Sequence, residues 1–132
     1  MDEGGAPGAS QAPSQPVAEP PDPSTTSFRI IALAGQARSL AMRSIRTAQS
    51  GDFTQAEQLL GHSQELFREC HDIQTQALSA HARGEQVTVD ILLVHAQDHL
   101  SMANVTIENA RIFIDLYRAL ATRNDPPHAS EE

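Results

Sequence analysis

Val89–Leu120, VDILLVHAQDHLSMANVTIENARIFIDLYRAL, is the stretch that decides the fold. On a helical wheel of about 100° per residue, Val89, Leu93, Ala96, Leu100, Ala103, Ile107, Ala110, Ile114 and Tyr117 make one unbroken heptad seam. A second seam, Ile91, Val94, Asp98, Val105 and Ile112, runs down the opposite side, interrupted by Ser101 and Glu108. Only a narrow arc through Asp90, Gln97, Asn104, Arg111 and Asp115 is consistently polar. A helix apolar on two opposite sides needs two partners. The spacing predicts a helix over Thr88–Thr122 that reaches roughly 50 Å at 1.5 Å per residue.

Upstream, two further helices fill a proline-free middle. The first, Ser27–Gln49, carries Ile30, Ala34, Ala37, Ala41, Ile45 and Ala48 on one face, a narrow stripe of mostly small residues that lets neighbours approach closely. Ser50-Gly51 ends it, and Asp52 with Gln55 resembles a capping box for the second helix, Phe53–Ala82. That helix places Ala56, Leu59, Leu66, Cys70, Ile73 and Ala77 at spacings of three and four, and Gly84 closes it. Short connections favour antiparallel neighbours, so the expected architecture is an all-α, up-down-up three-helix bundle over residues 27–122. A monomer of three helices leaves the second seam of helix three uncovered, which predicts self-association through it.

The flanks read differently. Residues 1–26 hold six of the eight prolines among Gly, Ser and acidic residues, and 123–132 hold the other two, Pro126 and Pro127. Segments of this composition bury too little apolar surface to offset their ordering entropy, so a disordered N-terminal arm and a flexible C-terminal tail are expected.

Composition excludes several chemistries. All nine basic residues are arginine, so P-loop and Schiff-base lysines are absent. A formal charge of −8 opposes a phosphate backbone, and the arginines are scattered, so no nucleic-acid partner is expected. The single Cys70 makes no internal disulfide and fits a core position. No apolar run approaches the roughly 20 residues of a membrane span, and the acidic N-terminus lacks signal-peptide character. The chain is read as soluble and cytoplasmic.

Val94-His95-Ala96-Gln97-Asp98-His99 is the chemical part of helix three. Asp98 and His99 lie three and four residues from His95 and are its neighbours on a helix. Three readings stand side by side. His95 is a packed, hydrogen-bonded histidine; or His95, Asp98 and His99 are ligands of a metal-binding helical oligomer; or His95 is a nucleophile, neutral at cytosolic pH and able to attack phosphorus. All three place these residues on a buried flank, and only the third needs an accessible ring nitrogen.

Ala34-Gly35-Gln36-Ala37-Arg38-Ser39, Gly51-Asp52-Phe53, Gln74-Thr75 and Val94-His95-Ala96-Gln97-Asp98-His99-Leu100, in this order and spacing, resemble the lactose/cellobiose-type IIA components of the bacterial sugar phosphotransferase system. The resemblance covers about Phe28–Leu120. It implies a compact three-helix fold, a homotrimer built through the third helix, and a phosphoryl relay. His95 then accepts a phosphoryl group from the phosphohistidine of HPr and passes it to a cysteine of the IIB component, serving the membrane-embedded IIC transporter. The cargo is a disaccharide such as lactose, cellobiose or chitobiose. Gln97 and His99 are implied phosphate contacts, and Asp98 is implied to hold Mg²⁺ at the trimer axis, where three carboxylates repel unless neutralised. Ser101 departs from the Leu-Met that follows the motif in many relatives and bears on packing near Asp98.

Overall fold

In the computed structural model, which describes residues 22–124, the chain forms α1 (Pro23–Gln49), α2 (Phe53–Ala82) and α3 (Ile91–Asn124). The described residues contain no strand. The helix starts are set by aspartates. Asp22 caps α1 by accepting from the Ser24 amide, with Pro23 in the first turn, where its missing N–H costs no hydrogen bond. Asp52 caps α2 by accepting from the Gln55 amide at 3.0 Å. The reciprocal half of the expected capping box is replaced, because the Asp52 amide donates to the Thr47 carbonyl at 3.2 Å. Asp90 accepts from the Leu93 amide at 2.8 Å, so α3 begins at Ile91 instead of Thr88. Gly51 and Gly84 adopt φ of +91° and +84° at the two turns, a backbone state that L side chains avoid.

Two boundaries therefore differ from expectation. Residues 23–26 belong to α1, not to the arm, and Arg123 and Asn124 extend α3. The rest of the arm and of the tail, residues 1–21 and 125–132, lie outside the described residues.

Side-chain contacts give the topology. Ser63 Oγ donates to the Ala37 carbonyl at 2.6 Å, and Cys70 Sγ to the Ile30 carbonyl at 3.5 Å, so moving up α1 means moving down α2. Gln74 bonds Gln97 while Glu57 bonds Arg111, so α2 and α3 also run antiparallel. That is the up-down-up bundle.

The stripe of small residues on α1 does what its size permits. Ala34, Ala37, Ala41 and Ala48 are fully enclosed, and α2 comes close enough for the Ser63 hydroxyl to reach a carbonyl of α1. The apolar interior falls into two clusters. One holds Ala41, Leu60, Ile107 and Ile114; the other holds Ile30, Cys70, Ala96 and Leu100, and Phe67 packs against both. Leu60 and Ser63 join the buried side of α2, whereas Ala77 is only half-buried. Burial pushes the Cys70 thiol up to about 11, which keeps it protonated and unreactive at neutral pH.

Helix three carries both of its seams as predicted. Ala96, Leu100, Ala103, Ile107, Ala110 and Ile114 are buried. Opposite them Ile91 is 84% exposed, Val105 56% and Ile112 64%, with Val94, Leu116 and Leu120 adding to the strip. Val89, assigned to the inner seam, lies before the helix and is exposed.

Candidate functional site

His95 and His99 meet on one side of α3, between the two seams. Their Nε2 atoms are 3.2 Å apart, their ring centroids 4.6 Å apart, and the rings stand at 90°. Two imidazole nitrogens at that distance require one ring to donate and the other to accept. The pair is thus held as a donor–acceptor couple by the i, i+4 geometry of the helix.

The flank is not buried as expected. His95 is exposed and His99 half-buried. On α1, the small residues Gly35 and Ser39 stand at the level of His99. With His99 they line an open groove of about 640 Å³ that runs past Ile31, Leu40 and Arg43 and on to His62 and Leu66 of α2. A second stretch of groove, sharing Gly35, Ser39, Arg43 and His99, continues past Arg38, Met42 and Arg46.

Gly35 has no structural reason to be glycine. It sits inside α1, its φ is not positive, and a Cβ built on it meets nothing within 4 Å. A helix-interior glycine costs about 0.5–1 kcal/mol relative to alanine. What the missing methyl leaves is room beside His99.

The remaining sequence-predicted residues diverge. Gln97 is turned to α2, where its side-chain oxygen accepts from Gln74 Nε2, so the structure does not bring it to the imidazoles. Asp98 is exposed in the outer seam between the exposed Val94 and Val105, and it makes no ion pair among the described residues. The 3.2 Å Nε2 spacing suits two nitrogens of one tetrahedral ion. Among the described residues, however, no three His, Cys, Asp or Glu side chains gather closely enough to hold a metal.

Gly35, Ser39 and Gln74 were not picked out as site residues by sequence reasoning. All three fall within resembling motifs, but only helix packing shows what they face.

His95 is thus an exposed imidazole in contact with a second one beside an open groove, not a packed core histidine. Residues 25–118 match the family described as "PTS system, Lactose/Cellobiose specific IIA subunit". The chain belongs to this family. It is 34% identical over 97 residues to the lactose-specific EIIA component of Lacticaseibacillus casei, covering 74% of this chain and 87% of that one. It is 38% identical over 93 residues to the lichenan-specific phosphotransferase enzyme IIA component of Bacillus subtilis, covering 70% and 84%. Among solved structures, the cellobiose-specific enzyme IIA of Bacillus anthracis superposes with a TM-score of 0.76 at 36% identity, over 81% of this chain and 98% of that one. The IIA(Chitobiose)–HPr complex of the Escherichia coli N,N'-diacetylchitobiose branch gives 0.67 at 31% identity, over 76% and 97%. As a IIA component the protein is part of a sugar phosphotransferase system. No described helix is long and apolar enough to cross a membrane.

Proposed function

We propose that this IIA protein is a phosphoryl carrier whose acceptor is His95. A lone pair on a His95 ring nitrogen forms the new P–N bond as the P–N bond of the HPr phosphohistidine breaks. The departing imidazole takes up the proton that His95 releases, so no nucleotide or oxidant enters. The second transfer moves the group to a cysteine thiolate of the IIB component, which serves the membrane-embedded IIC transporter during uptake of a disaccharide such as lactose, cellobiose or chitobiose. Transfer between two imidazoles is close to balanced in energy, so the protein's work is in-line alignment and shielding from water.

The observation that carries this reading is the His95–His99 couple at 3.2 Å on an open flank. A phosphoryl group on His95 would take the place of the ring contact, leaving His99 to donate its N–H to a phosphoryl oxygen. Gln97, held by Gln74, steadies α3 against α2 behind the site.

The assembly is a homotrimer through the outer seam of α3. The exposed apolar strip from Ile91 to Leu120 requires a cover, and a threefold axis along it brings three Asp98 carboxylates together. Carboxylate oxygens suit a hard cation such as Mg²⁺, which would neutralise that repulsion in a structural role. Incubation with phosphoenolpyruvate, enzyme I and HPr is expected to place one acid-labile phosphate per chain. His95→Gln is expected to abolish it, and a fully active His95→Gln protein overturns the proposal.

A further inference from the structure

Helix α1 carries no acidic residue at all, yet it carries Arg29, Arg38, Arg43 and Arg46, in a chain whose formal charge is −8. Arg29 pairs with Glu69 at 3.1 Å. Arg38, Arg43 and Arg46 pair with no carboxylate among the described residues. Arg38 stands apart because it also rims a hollow on α3 of about 310 Å³ floored by Ser101, Met102, Val105 and Thr106. An open hollow of this kind on a helix surface can receive a side chain of a facing molecule.

The two edges of the outer seam differ in what they face. Met102, Thr106 and His99 lie on the α1 side, as the grooves shared with Arg38 and Gly35 show. Gln97 and Arg111 lie on the α2 side, as their bonds to Gln74 and Glu57 show, and Glu108 falls between them and the seam. Glu108 is exposed, and among the described residues its carboxylate meets only the Asn104 amide at 3.4 Å. Rotation about a threefold axis parallel to α3 brings the α1-side edge of one helix against the α2-side edge of the next at the same height. Arg38, level with Ser101–Thr106, then meets the edge that carries Glu108 about one turn away, within the reach of its long side chain.

Resting on the trimer reading, we infer that Arg38 pairs with the partner subunit's Glu108, three times around the axis. The occupant of the hollow is a second copy of this chain. The pairing fixes the direction in which subunits follow one another, because Arg38 of α1 stands at one flank of α3 and Glu108 at the other.

Sedimentation of the full chain across protein concentration tests this, using wild type, Arg38→Glu, Glu108→Arg and the double reversal. Both residues are exposed, and melting by circular dichroism confirms that each variant folds. Each single reversal is expected to raise the half-dissociation concentration about tenfold or more at low salt, with a smaller effect at 1 M salt. The double reversal is expected to return it to within about threefold of wild type, as a restored pair does. A trimeric wild type whose double variant dissociates no less than the weaker single variant overturns the ion pair alone. A monomeric wild type overturns the trimer reading beneath it. If Arg38→Glu leaves the trimer intact and abolishes phosphoryl acceptance, the hollow belongs to the donor protein and the inference fails.

Discussion

Replacing Gly35 with alanine separates stability from function at the groove. The backbone there is helical, and an added Cβ has no neighbour within 4 Å, so the substitution introduces no overpacking. The expected gain is the helix-propensity difference, about 0.5–1 kcal/mol, most of it from the reduced freedom of the unfolded chain. For a folded region of this size that raises the melting temperature by about 2–8 °C. Function moves the other way, because the methyl projects into the groove that Gly35 shares with His99. One unwanted methyl in a fitted pocket costs upwards of tenfold, so kcat/KM for labelling by phospho-HPr is expected to fall by about tenfold at unchanged final stoichiometry. Thermal melting followed by circular dichroism, beside initial labelling rates at limiting donor, measures both. A variant that melts higher and accepts phosphate at the wild-type rate refutes the idea that this glycine keeps the groove open. One that melts lower refutes the reading of free space around it.

Glu57 accepts from Arg111 at 2.7 and 2.8 Å and from Arg118 at 3.0 Å, tying α2 to α3, and hydrogen bonds from Arg118 and then Arg111 hold its carboxyl below the ordinary value. Allowing for its partial exposure, Glu57→Gln is expected to cost about 1 kcal/mol at pH 7. Because the folded value is the lower one, the contribution is complete above the unfolded value and lost as pH falls through the folded value; denaturant titrations should show the wild type and variant converging in acid. Asp98→Leu replaces a charge expected at the axis by an apolar group of similar size, so the trimer should persist without divalent cation, and sedimentation in chelator is the check. A variant that falls apart under that treatment, where wild type does not, contradicts the axial placement.

Helix three was legible because its inner and outer faces repeat at the heptad period, and alternative placements break one seam or the other. The start of α1 was not, since Asp22-Pro23 was absorbed into a proline-rich run, although proline just after an aspartate is itself a helix-opening signal. Ser63 was passed over as polar. Its hydroxyl is fully buried because the Ala37 carbonyl supplies the partner, a fact of how two helices approach. The same holds at the site. The His95–His99 couple follows from spacing within one helix, whereas Gly35, Ser39 and Gln74 enter through the register of α1 and α2 against α3, which no local pattern encodes. Exposure of His95 was misjudged for that reason, because how far neighbouring helices cover a flank is set by their packing.

The enclosed sulfhydryl at position 70 makes the molecule chemically quiet toward maleimides and other alkylating probes. A cysteine introduced on the surface of α1 or α3 can therefore be tagged selectively with a fluorophore or spin label while the natural one stays in place. In a mixture with a thiol-bearing acceptor, any sulfur-linked phosphate that forms then belongs to that acceptor, because the enclosed thiol of this protein contributes no background.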